Sequence, residues 1–98
     1  MLTLGKHIHK CYPVPRPPDV RSNLHEGPWW DWYNGYLQSE IWAEVRRRVI
    51  KRARGDCQRC RSRVAVEVHH LSYDRVGHER WGDLQAICKN CHDDIHRR

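Results

Sequence analysis

The chain has 98 residues, no phenylalanine and a single methionine, so two of the usual fillers of a small core are missing or nearly so. No stretch approaches the roughly 20 apolar residues that cross a bilayer. The first ten residues carry no apolar segment of the kind that heads a secreted chain. The sequence therefore reads as a soluble, cytoplasmic protein with no membrane partner. Acid is scarce where base gathers: from Glu44 to Arg63 nine Lys or Arg stand against Glu44 and Asp56 alone. With a net charge of +6, this distribution points to a polyanionic partner, most simply nucleic acid.

Charged residues make up 31% of the sequence, and the mean hydropathy is −0.93. One small domain with a thin core follows, marginal without a staple. Cysteine supplies that staple. Cys57 and Cys60 form one CxxC pair, and Cys88 and Cys91 form a second. In a chain without a secretory signal, paired CxxC spacing reads as metal ligation, not as a disulfide framework. Four thiolates suit a closed tetrahedral structural zinc, Zn2+. Because zinc binding and folding are coupled in domains of this size, the metal-free chain is expected to be unfolded or molten. Cys11 is left over as a free thiol, and the His7, His9, Cys11 pattern reads as exposed side chains on an arm.

All five prolines fall within residues 1–28. Residues 1–35 read as an N-terminal arm, partly irregular and rich in Pro and Trp, and residues 36–98 as the folded domain. Trp29, Trp32, Tyr33 and Tyr36 would share one helical face, although Asn34-Gly35 argues for a turn. The economical reading of these rings is that they pin the arm to the thin core. A helix is expected next, capped by Ser39 and stopped at Gly55. Its apolar stripe is Leu37, Ile41, Val45, Val49 and Ala53. Its other faces are basic, with Arg46, Arg47, Lys51 and Arg54 as candidate phosphate contacts. Val64, Val66 and Val68 alternate with other residues, as a strand requires. Residues 72–82 read as a loop, Leu84–Ile87 as a second strand, and the chain from Cys91 as a helix.

The histidines have no part in that zinc. His92 and His96 lie four apart and share a helical face. His69 and His70 are neighbours on a strand, so pleating turns them to opposite sides. One of them can coordinate a second, open metal while the other serves as a base near neutral pH. Metal, base and a basic approach surface are the parts needed to hydrolyse a phosphodiester.

The run Val68-His69-His70-Leu71, followed by Asp83-Leu84-Gln85-Ala86-Ile87-Cys88-Lys89-Asn90-Cys91-His92, resembles the HNH endonuclease family in its zinc-stapled phage or mobile-element form. The likeness spans roughly residues 36–97, and residues 75–84 resemble the loop of phage-type members. It implies a small α+β fold built on the ββα-metal (His-Me finger) motif, with a four-cysteine structural zinc and a preceding basic helix. By the same resemblance, His69, His92 and His96 would hold a catalytic divalent cation (Mg2+, Mn2+, Ni2+ or Zn2+). His70 would be the general base. Asp83 would stand where the family has its middle Asn, bracing the loop, with its backbone holding the catalytic imidazole. Arg75 and Arg80 would grip phosphate, and Tyr73 would pack beside the base. The expected activity is endonucleolytic cleavage of DNA to 5′-phosphate and 3′-hydroxyl ends, in a bacterial or phage-infected cell. A phage packaging protein or a second copy of the chain are candidate further partners. The alternative is a zinc-stapled DNA-binding module that cuts nothing and docks a packaging assembly; it leaves both histidine pairs unexplained.

Overall fold

The computed structural model describes residues 14–22 and 24–96; His7, His9 and Cys11 lie outside them. The order of elements is α1 (Pro28–Leu37), α2 (Glu40–Arg52), β1 (Glu67–His70), a 3₁₀ turn (Trp81–Asp83), β2 (Leu84–Ile87) and α3 (Lys89–His96). The fold is small α+β, three helices around one two-stranded antiparallel sheet. Among the described residues no helix is long and apolar enough to cross a membrane.

The aromatic segment resolves as helix. Pro28 sits in the first turn of α1, where its missing N–H is no loss. Asn34-Gly35 passes through the last turn of that helix without breaking it. Burial of Trp29, Trp30 and Tyr36 in the main core outweighs the local turn preference. α1 therefore straddles residue 35, the expected edge of the arm, and shares one core with Trp42, Val45 and Val49 of α2. The extended chain before it is held by the same rings. The Trp30 indole N–H donates to the Ser22 carbonyl at 2.7 Å, and that of Trp32 to the Pro15 carbonyl at 3.0 Å. The Arg21 guanidinium lies 5.4 Å from the ring centres of both Trp29 and Tyr73, within cation–π range.

Ser39 joins the two helices. Its hydroxyl accepts from the Trp42 N–H at 3.2 Å and donates to the Tyr36 carbonyl at 2.6 Å, capping one helix end while tying down the other. α2 ends in a left-handed turn. Arg54 at φ 58° and Gly55 at φ 80° reverse the chain, and the Gly55 N–H closes on the Ile50 carbonyl at 3.0 Å, as a helix stop requires.

The first strand is shorter than the Val64–Val68 alternation suggests. β1 begins only at Glu67. Val64 makes an isolated bridge with Asp56 and is 69% exposed, and Val66 is 45% exposed. The reason is that β2 supplies only four residues, so the ladder ends at Glu67 opposite Ile87. The Val66 N–H still reaches the Ile87 carbonyl at 2.9 Å. The register sets His69 opposite Gln85 and His70 opposite Leu84, so the pleat sends the two imidazoles to different faces.

Trp42 is 5% exposed at the centre of this core. Trp42→Ala should lower unfolding free energy by about 3–5 kcal/mol, read from urea denaturation of the zinc-saturated protein. Ser39→Ala should lower it by about 1 kcal/mol.

Candidate functional site

The four cysteines converge. Cys57, Cys60, Cys88 and Cys91 have all their sulfurs within 4.8 Å of one another. Cys57 Sγ lies 3.7 Å from Cys91 Sγ, and Cys60 Sγ lies 3.8 Å from Cys88 Sγ. Ligands about 2.3 Å from a tetrahedral zinc would be separated by about 3.8 Å, so the set fits that ion. Backbone N–H groups aim at the sulfurs: those of Arg59 and Cys60 at Cys57, and that of Cys91 at Cys88, each at 3.4 Å. Burial pushes the Cys57 thiol up, but the N–H groups of Cys60, Cys88 and Arg59 outweigh it and bring the value to about 6. Burial, and the hydrogen bonds with Cys88 and Cys57, push Cys91 the other way. Four sulfurs this close do not ionise independently, and a dication would remove the conflict. The knuckle is locked to its neighbours by Arg59, whose Nη1 donates to the Cys91 carbonyl at 3.2 Å and to Asp94 at 2.9 Å. Gln58 adds a second tie, donating its N–H to the Ala86 carbonyl and accepting the Ala86 N–H, both at 2.8 Å.

The staple sets α3 against β1 and brings three histidines to one cleft of about 610 Å³. His92 and His96 have ring centres 4.4 Å apart, and His69 lies 6.4 Å from His96. The spacing of His92 and His96 suits two ligands of one ion, with His69 as the candidate third. This trio is more open than the cysteine set, which is the only group of three or more ligand atoms within 4.8 Å among the described residues. Burial, and then the neighbouring imidazoles of His96, His70 and His92, lower the pKa of His69. This lowering favours the neutral ring, the form that binds a cation.

His70 lines the same cleft from the opposite face of β1. The sequence reading leaves its ring uncoordinated, as the base for a metal-activated water. The side chain is 2% exposed, stacked on Trp42 at 4.8 Å between ring centres, and both nitrogens are engaged in hydrogen bonds. Nε2 lies 2.7 Å from Glu79 Oε2, and Nδ1 lies 3.2 Å from the Tyr33 hydroxyl. The alternation that separates it from His69 also turns it into the aromatic core. Tyr73 stacks beside it at 6.1 Å.

Asp83 is buried and accepts from Arg75 Nε at 2.8 Å, Arg75 Nη2 at 2.5 Å and the Arg80 N–H at 2.9 Å. The Arg75 guanidinium holds its carboxyl below the usual range against the opposing effect of burial, and the Arg80 N–H adds to the lowering. Its carbonyl accepts the Leu71 N–H at 2.7 Å. A carboxylate thus closes the 71–83 loop where the resemblance calls for an amide. The imidazole of His70 is gripped by other residues.

Several candidate phosphate contacts are already occupied. Arg75 has its Nε and Nη2 edge on Asp83. Arg46 donates to Glu67 at 2.9 Å and to the Val66 carbonyl, tying α2 to β1. Arg47 pairs with Glu44 on its own helix. Lys51 and Arg54 are exposed and make no ion pair among the described residues. The Arg80 side chain is exposed too, while its backbone N–H donates to Asp83.

Three residues at this site escape sequence reasoning. Glu79 reads as loop structure, yet it is 3% exposed and receives His70 on one oxygen and the Tyr36 hydroxyl on the other, at 2.8 Å. Tyr33 and Tyr36 read as members of the aromatic face, which gives their packing but not their hydroxyl partners. The loop of residues 72–82 carries two acids, Asp74 and Glu79, and nothing in the sequence says which of them turns inward.

Residues 57–98 match the family model for HNH endonuclease. No curated protein and no solved structure matches the chain.

Purified protein should carry one tightly held zinc per chain, released by thiol modification and counted with a colorimetric chelator. Removing it should abolish the near-ultraviolet dichroism of the tryptophan cluster. Arg75→Ala and Asp83→Asn should each lower the thermal midpoint, and the double variant should fall no further than the worse single, because both remove one interaction.

Proposed function

We propose that the protein is a metal-dependent DNA endonuclease that hydrolyses phosphodiester bonds to 5′-phosphate and 3′-hydroxyl ends, a reading supported by the match of residues 57–98 to the HNH endonuclease family model. The observation that carries this reading is the convergence of His69, His92 and His96 on one cleft whose wall also contains His70. A structural zinc on the four cysteines has no use for these imidazoles.

A divalent cation held by His69, His92 and His96 would polarise the scissile phosphate and stabilise the charge of the in-line displacement. Imidazole ligands favour zinc, nickel or a similar transition ion over magnesium, which prefers oxygen. His70 accepts the proton of the attacking water at Nδ1. That nitrogen faces only a neutral phenol, Tyr33, so exchanging the phenol for water leaves no charge unpaired. Burial, then Tyr73 and Glu79, raise the pKa of Tyr33, so it remains a donor and does not compete as a base. Asp83 and Arg75 brace the loop that carries Tyr73. Lys51, Arg54 and Arg80 supply sequence-independent attraction to the DNA backbone.

The second reading is a DNA-binding module that cuts nothing. The burial of His70, with both nitrogens paired, is the observation in its favour.

Supercoiled plasmid separates the two. Protein with its structural zinc intact should nick or linearise it when manganese, nickel, zinc or magnesium is added. His70→Ala should cut about 10²–10⁴-fold more slowly while still retarding DNA in a gel. His92→Ala should lose the response to added cation. Retardation without cutting under every ion would hand the assignment to the binding module.

A further inference from the structure

The resemblance assigns the job of holding the catalytic imidazole to the backbone of the middle position, Asp83. In this protein that carbonyl is occupied by the Leu71 N–H. The atoms within hydrogen-bonding reach of the His70 ring are Glu79 Oε2 and the Tyr33 hydroxyl. We propose that Glu79 is the positioning residue of this site: its carboxylate fixes the Nε2–H tautomer of His70 and leaves Nδ1 as the acceptor at the cleft. This rests on the endonuclease reading for its consequence in the reaction, but not for the tautomer.

The argument is one of hydrogen-bond direction. With Glu79 ionised, its carboxylate accepts only, and the ring nitrogen 2.7 Å from Oε2 then carries the proton. The neutral imidazole then has one lone pair, on Nδ1, and the Tyr33 hydroxyl 3.2 Å away donates to it. Reversing the tautomer would bring the Nε2 lone pair against the carboxylate, an uncompensated repulsion inside a core where both side chains are at most 2% exposed.

Glu79 cannot turn away, because its other oxygen accepts the Tyr36 hydroxyl at 2.8 Å. Burial, then the charge of Glu79, raise the Tyr36 pKa, so this phenol keeps its proton and its grip. Trp42 closes the face of the imidazole, its ring tilted only 19° from that of His70. Tyr33, Tyr36 and Trp42 all belong to α1 and α2, outside residues 57–98. The N-terminal helices are therefore part of the site's geometry and not only a support for the arm.

The test has two arms. In the first, the zinc-loaded, 15N-labelled protein is examined in alkaline buffer by long-range correlation of the histidine ring nitrogens. Wild-type His70 should show a protonated Nε2 and a bare Nδ1; the opposite tautomer would overturn the proposal without any variant being made. Glu79→Gln, which keeps an acceptor for Nε2–H, should retain the pattern, and Glu79→Leu should give a mixture of tautomers. An unchanged tautomer in a zinc-loaded, folded Glu79→Leu protein would also overturn it.

In the second arm, plasmid nicking by Glu79→Leu should lose about 10–100-fold in kcat, with the KM for DNA unchanged and with most of the rate recovered in Glu79→Gln. Added to His70→Ala, Glu79→Leu should slow the reaction no further. A further loss in that background would mean that Glu79 acts on something other than His70. If the wild type cuts nothing, the endonuclease reading fails, while the tautomer measurement still decides the role of Glu79.

Discussion

The pleat of a four-residue strand is the constraint on which this protein's site depends. His69 and His70 are adjacent, and β1 sends one to α3 and the other to α1 and α2. No other arrangement of neighbouring residues separates two imidazoles so sharply at so short a chain distance. On one face the ring joins His92 and His96 in an open cluster. On the other it enters an aromatic core and is gripped through both nitrogens. The chemistry proposed for the cleft needs both faces: a ligand that is free to coordinate and a base that is not free to move.

The strand is too short to hold its place alone, and two devices hold it. The cysteine knuckle locks the end where Glu67 faces Ile87, with Gln58 continuing the hydrogen bonding of Ala86 and Arg59 tying the first CxxC pair to α3. The same end leans on Arg46, which bridges α2 to Glu67 and Val66. This explains why part of the positive charge on α2 is internal. In a chain with no phenylalanine, Trp29, Trp30, Tyr36 and Trp42 fill the main core, and their polar atoms then need partners. Those needs organise the rest: the Ser22 carbonyl for the indole of Trp30, and Glu79 for the phenol of Tyr36.

Much of this was legible beforehand. Paired CxxC spacing announces a four-sulfur site because only one ligand geometry uses it well. Ser39 and Gly55 announce the ends of α2 because capping is local. The opposite orientation of His69 and His70 follows from strand periodicity alone. The course of the chain at Asn34-Gly35 did not, because the turn preference there is worth less than the burial of three rings on one helix. Val64 and Val66 alternate as a strand would, but a ladder runs only as far as its partner, and β2 stops at Ile87.

The sequence by itself determined the chemistry on offer: four thiols for a closed site, four imidazoles around it, an excess of base and a core of tryptophan. These depend on residue type and short spacing, which no tertiary contact can change. The tertiary structure alone decided how those groups are engaged. Arg75 meets Asp83, Arg46 meets Glu67, and Glu79 meets His70 and Tyr36, each across a chain separation set by how loops and helices close over the sheet. A hydrogen bond depends on distance and direction to within a fraction of an ångström, and only the packed chain supplies both.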